Sequence, residues 1–275
     1  MPLFWLRFAA PDNPRSKWFL AEFLFQFRGF RQTAPVKISV IIPAFNEERL
    51  LGGTLAAVKS AMEVFAQCRW ESELIVCDNN STDRTAEIAR AAGATVVFEP
   101  VNQIARARNS GAAAATGDWL IFVDADSQPS AELFADVAEQ IQSGRCLAGG
   151  TTVRMDEKHL LAEFFTWLWN CSSRIGRLLA GSFIFVEAAA FRKIGGFSDK
   201  LFAAEELDLS KRLKQLVRET GRGIVILHRH PLITSARKMR LYTIWDHLKL
   251  LARVAFNRRA LQSRESCTLW YDGRR

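Results

Sequence analysis

The chain is predicted to take an α/β fold, a mostly parallel sheet flanked by helices, on three observations. Short apolar runs are bounded by turn residues, amphipathic stretches lie between them, and the two alternate from residue 36 onward. Ile38 to Ile42, apolar except for Ser39, reads as a first buried strand. Glu47 to Phe65 follows with helical periodicity, Leu74 to Cys77 is a second strand, and Thr82 to Ala91 is a helix opened by a Ser/Thr/Asp cap. Thr95 to Phe98, Ile104 to Ala115 and Leu120 to Val123 repeat the rhythm as strand, helix, strand. A helix then runs from residue 130 to Gln142, a strand spans Leu147 to Arg154, and an aromatic helix extends from Lys158 to Leu179. The order loosens afterwards. Ser182 to Val186 fits a strand, Gly195-Gly196 a turn, Glu206 to Leu216 a helix, and Ile224 to Leu227 and Leu232 to Ser235 two short strands. Lys238 to Phe256 carries Leu241, Ile244, Trp245, Leu248 and Leu251 on one face beside Lys249 and Arg253, a basic amphipathic helix. Three regions follow: an aromatic and basic segment at 1–35, a core domain at 36–237, and a basic helix and tail at 238–275.

With 275 residues, 49% of them hydrophobic, the chain can bury one large core with appended helices. Its net charge of +8 is unevenly spread: residues 1–36 carry 5 basic and 2 acidic side chains, residues 37–209 carry 16 and 23, and residues 210–275 carry 16 and 4. An acidic middle suits a cation, and basic ends suit phosphates or anionic headgroups. No nucleic-acid motif accompanies them, so a nucleic-acid partner is not expected. The five cysteines show no CxxC spacing and are odd in number, which points to reduced thiols and a cytoplasmic setting rather than a disulfide frame or a zinc site. Arg7, Pro11, Asp12, Pro14, Arg15 and Lys17 break up any signal-peptide core. The best candidate for a spanning helix, Phe164 to Val186, contains Arg174 and Arg177. The first 30 positions hold Phe4, Trp5, Phe8, Trp18, Phe19, Phe23 and Phe27 among Arg7, Lys17 and Arg28. That mixture fits a peripheral anchor on the inner face of the plasma membrane, or equally a helix packed on the protein's own core.

The chemistry begins with Asp124-Ala125-Asp126, directly behind the run Leu120 to Val123. Two carboxylates on a turn at a strand's C-terminal edge offer hard oxygen ligands to a divalent cation where open α/β sheets bind their ligands. Pro43 to Glu48 ends the first strand with a proline turn and places acids in the first turn of the next helix. Asp78 to Thr85 ends the second strand with polar groups able to hydrogen-bond a base or ribose; Ser81 to Asp83 cap the helix, while Asp78 has no capping role and is read as a ligand contact. Arg106 and Arg108 sit in a helix leading to the acid pair, suited to a diphosphate. Gly195-Gly196-Phe197 and the acidic helix start Glu205-Glu206-Leu207-Asp208 supply a turn and a candidate base. Phe164, Phe165, Trp167, Leu168 and Trp169 have helical spacing and are expected in the core or as a lid over an acceptor.

In order, these segments resemble glycosyltransferase family 2 enzymes of the GT-A, Rossmann-like fold. The resemblance covers residues 37 to 240, adding Ala107-Arg108-Asn109-Ser110-Gly111 and Thr234-Ser235-Ala236-Arg237 to the motifs above. It implies that Pro43, Ala44, Glu47, Asp78 and Asn80 hold the nucleoside of a sugar-nucleotide donor. Arg106 or Arg108 and Arg237 are then set near its diphosphate. Asp124 and Ala125 meet the ribose or metal shell, and Asp126, with Asp124, binds Mg²⁺ or Mn²⁺. Glu206 aligns with the second acid of the family's Glu-Asp pair and is the first choice for general base, with Glu205 in reserve. The activity implied is inverting transfer of a single sugar, from a UDP-sugar, to a hydroxyl of a glycan or lipid-linked acceptor.

The chain departs from the family in carrying Glu at the second place, where Asp is usual. The Gln-x-x-Arg-Trp motif of processive synthases is absent, which favours single transfer over polymerisation. His228 or His230 could complete a metal shell, but a surface histidine beside Arg229 is preferred. Two other functions share some of these features. An apolar strand followed by Asp-x-Asp is also the nucleophile signature of haloacid-dehalogenase phosphatases, although there it opens the domain, whereas strand and helix from residue 37 precede it here. A non-catalytic nucleotide-sugar-binding module could keep the fold. A dinucleotide oxidoreductase is disfavoured, since no Gly-x-Gly-x-x-Gly follows the first strand.

Overall fold

The computed structural model describes residues 36–156, 160–235 and 261–263. The expected 1–35 segment, the helix at 238–256 and Arg237 lie outside them. Eight strands form one sheet in the order β3-β2-β1-β4-β7-β6-β8-β5. β1 (Lys37–Ala44), β2 (Glu71–Asp78), β3 (Thr95–Phe98) and β4 (Trp119–Val123) are mutually parallel. Between them run α1 (Leu51–Gln67), α2 (Thr85–Ala91) and α3 (Ile104–Ala114). Helices cover both faces here, so β1 from Ile38 onward and all of β4 are buried, which is why β4 reads as an unbroken apolar run and β1 as one interrupted at Ser39.

The second half is mixed. After β5 (Ser127–Gln128) come α4 (Ala131–Ser143), β6 (Cys146–Met155), α5 (Leu160–Gly176), β7 (Phe183–Glu187), α6 (Ala188–Lys193), α7 (Glu205–Thr220) and β8 (Gly223–Thr234). β7 is antiparallel to both β4 and β6, β8 is parallel to β6, and β5 is antiparallel to β8. The two short strands expected after residue 223 are one strand. Its pairing jumps from Thr151 opposite Leu227 to Val153 opposite Leu232, so His228 to Pro231 bulge out and interrupt the apolar pattern.

Aromatic rings fill the core. Phe122, Phe191 and Phe197 pack with centroids 5.1–5.5 Å apart, and Phe65, Phe134 and Phe183 form a second chain with spacings of 5.2 and 6.1 Å. Burying each such ring contributes about 1.5–3 kcal/mol. Gly111 lets α3 press against β1, since a Cβ there would lie 2.5 Å from Ile41 Cγ2. Of the α5 stretch expected in the core or as a lid, Phe164, Phe165, Trp167 and Leu168 are exposed and Trp169 is half-buried. Among the described residues no helix is long and apolar enough to cross a membrane.

Candidate active site

The parallel strands bring three segments of the site to one edge. Pro43 pairs with Cys77 and Ala44 with Asp78, while β4, paired to β1 on its other side, delivers Asp124 just beyond its end. The turns after β1 and β2 clasp each other. Asn46, at φ 52°, donates its N–H to Ser81 Oγ at 3.0 Å and accepts from the Thr82 N–H at 2.8 Å. Glu47 donates its N–H to Thr85 Oγ1 at 2.8 Å and Glu48 to Asp83 Oδ2 at 3.1 Å. This clasp explains why α1 starts at Leu51 rather than at Glu47: the two acids belong to the turn and not to the helix's first turn.

Asp78 is buried and caps no helix, but its Oδ1 accepts from the Ser81 N–H at 3.1 Å and closes the local turn. Asn80 is exposed with φ 64°. Asn79, overlooked in the sequence as one more turn residue, holds the region together. Its amide donates to the carbonyls of Glu99 (3.1 Å) and Val101 (2.6 Å), and its Oδ1 accepts from the Gln103 N–H (2.9 Å).

The acid pair occupies a four-residue turn closed by Ser127 N–H to Asp124 O at 3.1 Å. Three distant elements fix that turn. Thr54 of α1 donates to the Ala125 carbonyl at 2.7 Å, Asp124 N–H donates to Ser182 O at 3.1 Å, and Ser235 N–H donates to Asp126 O at 3.2 Å. Asp124 and Asp126 are both half-buried, and Ala125 is buried.

Arg108 stands at the centre. Fully enclosed in α3, it donates through Nη1 to Glu205 Oε1 at 2.5 Å and through Nη2 to Asp124 Oδ1 at 3.0 Å and the Gly181 carbonyl at 2.8 Å, with its guanidinium 5.2 Å from the Phe197 ring centre. Burial alone would lower its pKa, but Asp124, Glu205 and Glu206 more than offset this and leave it raised. Arg106 turns elsewhere: it donates to Gln103 Oε1 at 3.2 Å and lies 3.9 Å from Asp199. Of the two arginines, only Arg108 joins the acid turn to the acidic helix.

Asn109, beside Arg108, exchanges two hydrogen bonds with Phe197, accepting from its N–H at 2.9 Å and donating to its carbonyl at 2.8 Å. The preceding Gly195 and Gly196 have φ of 78° and 67°, the left-handed conformation glycine adopts without strain. α7 then begins after Ala204, itself at φ 60°. Glu205 is buried against Arg108; Glu206, the next residue, is only half-buried. The Glu206 carboxyl lies against Gly181, where an added Cβ would sit 3.6 Å from its carboxyl carbon. Its pKa is pushed up to about 8, first by desolvation of the carboxyl and then by the charge of Glu205, with Arg108 acting in the opposite direction.

The histidines of the β8 bulge are not part of this cluster. His230 Nδ1 lies 3.1 Å from Asp136 on α4, next to the ion pair of Arg229 with the same carboxylate. Among the described residues no three His, Cys, Asp or Glu side chains gather as a metal cage. Two carboxylates on one turn nevertheless fit a cation of the Mg²⁺ or Mn²⁺ kind, which takes one or two protein carboxylates and fills its remaining positions with substrate phosphates and water.

A family model described as "Glycosyl transferase family 2" matches residues 39–188. An uncharacterized glycosyltransferase of Mycobacterium tuberculosis is 33% identical over 113 residues, covering 41% of this chain and 47% of the relative. The probable glycosyltransferase YdaM of Bacillus subtilis is 29% identical over 203 residues, covering 66% and 47%. The chain thus matches about half or less of the length of these curated relatives. Among solved structures, the mannosyltransferase PcManGT of Pyrobaculum calidifontis, in complex with GDP-Man and Mn²⁺, superposes with a TM-score of 0.61 at 17% identity over 90% of this chain and 72% of that one. S. aureus TarS 1-349 in complex with UDP-GlcNAc gives 0.57 at 18% identity over 86% and 71%. Glucosyl-3-phosphoglycerate synthase of M. tuberculosis with Mg²⁺ and UDP gives 0.54 at 18% over 80% and 77%. At these identities the solved structures establish the fold, which is of the GT-A type.

Proposed function

The chain belongs to glycosyl transferase family 2, and on that premise we propose that it transfers a single sugar from a nucleotide-diphosphate donor, a UDP-sugar, to an acceptor hydroxyl with inversion. The observation that carries this reading is Glu206: a half-buried carboxylate raised to about 8, one residue from Glu205, which Arg108 ties to the acid turn. A general base works best with a pKa near the operating pH. Glu205 is spent on Arg108, which leaves Glu206 to take the proton from the acceptor.

The nucleoside lies along the edge formed by Pro43, Ala44, Glu47, Asp78 and Asn80, whose clasped turns need little rearrangement on binding. Asp124 and Asp126 would hold Mg²⁺ or Mn²⁺ against the diphosphate. When bound, that ion supplies charge stabilisation to the departing nucleotide. Arg108 does not reach out to the phosphates in this reading; it sets the distance between the acid turn and the base. A single in-line displacement with the base opposite the leaving group inverts the anomeric centre. A phosphatase would instead need Asp124 as a nucleophile, whereas its Oδ1 is bound to Arg108.

The test is a thermal-shift panel of nucleotide sugars with and without Mn²⁺, since a ligand of the folded state raises its melting point by mass action. UDP-sugars are expected to stabilise the protein in a manganese-dependent way, with the effect lost in Asp126→Ala. Equal stabilisation without metal would remove the ion from the scheme, and a preference for GDP-sugars would change the donor.

A further inference from the structure

One helix of the second half is turned inside out. On α5 a polar side chain bonds the sheet and another closes the turn after the helix. Asn170 accepts from the Val153 N–H at 3.0 Å and donates to the Val153 carbonyl at 2.9 Å, and the buried Ser173 donates to Leu178 O at 2.6 Å. Five large apolar side chains of the helix are exposed. Phe164, Leu168 and Ile175 fall at i, i+4 and i+11, one stripe of a helix, and are 55%, 47% and 87% exposed, with Trp167 and Phe165 flanking them at 59% and 46%. Phe164 stacks on Trp167 at 6.2 Å and meets Phe165 edge-on at 5.8 Å, so the rings make one contiguous patch. A patch of this kind marks an interaction site. Arg174 and Arg177, both exposed, stand at its C-terminal end, and Glu163 is the only acidic side chain in the helix.

We infer that α5 lies flat on an anionic lipid bilayer, its aromatic face in the headgroup and acyl boundary and Arg174 and Arg177 on lipid phosphates. Tryptophan, phenylalanine and leucine on one face with arginine beside them is the composition of an interfacial helix. The guanidinium groups answer the charge of the phosphates, which an apolar protein partner would not require. The chain leaving α5 reaches Gly181, whose carbonyl takes Arg108, and Ser182, whose carbonyl takes the Asp124 N–H. The segment after α5 thus connects the proposed bilayer face to the acid turn and, on the sugar-transfer reading, would serve acceptors held in the membrane. The contact itself is independent of any sugar transfer.

Flotation of the full chain with phosphatidylcholine vesicles, with and without phosphatidylglycerol, tests this. Wild type is expected to float with the anionic vesicles. The triple variant Phe164→Ser, Trp167→Ser, Leu168→Ser, altered only at exposed positions, is expected to bind about tenfold or more weakly at an unchanged melting temperature. Arg174→Gln with Arg177→Gln is expected to weaken binding to anionic vesicles and flatten its salt dependence. Ile175→Glu, at the most exposed position, repeats the test with one change should the triple variant melt early. The inference is overturned if wild type stays at the bottom of the gradient, if the triple variant or Ile175→Glu floats as wild type does, or if the variants change only the oligomeric mass by light scattering.

Discussion

The two halves of the sheet differ in how far apart in sequence their working contacts lie. In β3-β2-β1-β4 all neighbours are parallel, and the edge is built from turns that grip each other within residues 44 to 103. In β7-β6-β8-β5 the strands are mixed, and the acidic helix is joined to the first half by Arg108, whose partner Glu205 lies 97 residues away. One half can be rigid before anything binds. The other is brought to that edge by the buried Arg108, with Asn109 holding Phe197 and Gln103 holding the Asp199 and Leu201 carbonyls on the approach to the base.

Variants can break each half separately, and the largest effect is expected at Glu206. Glu206→Gln should lower kcat by about 10²–10⁴-fold while leaving donor-induced thermal stabilisation intact; an equal loss of both would place Glu206 in donor binding instead. Arg108→Met, which strips two carboxylates of their partner, should cost about 3–5 kcal/mol by denaturant unfolding. Arg108→Lys should recover part of that stability but little turnover, because one ammonium cannot fork between Asp124 and Glu205. In the first half, Asn79→Ala leaves the Gln103 N–H and two carbonyls without their partner and should cost about 1–3 kcal/mol, with weaker donor stabilisation in the thermal-shift panel.

The last prediction is a pH slope. Folded Glu206 titrates near 8 against an ordinary 4.5, so between those values the unfolded chain has released a proton that the folded chain keeps. Stability therefore falls as pH rises through that window, and Glu206→Gln should remove the fall. Melting curves should show the variant gaining on wild type from pH 4.5 toward 8, and no such trend below. Turnover should run the other way in wild type, rising as pH approaches 8 and the base loses its proton.

The parallel half was largely legible because strand burial and crossover helices leave periodic marks: β3 falls where Thr95 to Phe98 predicts it, and β1, β2 and β4 differ from their expected runs only at the ends. What escaped there was chemistry without period. Asn79 looks like any turn asparagine, and Glu47 and Glu48 look like helix-starting acids until Thr85 and Asp83 are seen to accept from their backbone N–H groups. In the second half the acid turn and the acidic helix were found, but the Arg108 to Glu205 pair has no local signature. The six-residue α6 is too short to show a helical period, and the bulge at His228 to Pro231 split one strand in two. The sequence left the α5 aromatics open between core and lid because apolar periodicity says which residues share a side, not which side meets the protein.

Ala204 gives the base its last physical constraint. An L-residue at φ 60° stores roughly 1–2 kcal/mol that glycine would not, directly before the two glutamates. The ion pair of Glu205 with Arg108 follows immediately after this residue, so the same contact that fixes the first acid of α7 also offsets the backbone cost of the turn that introduces it.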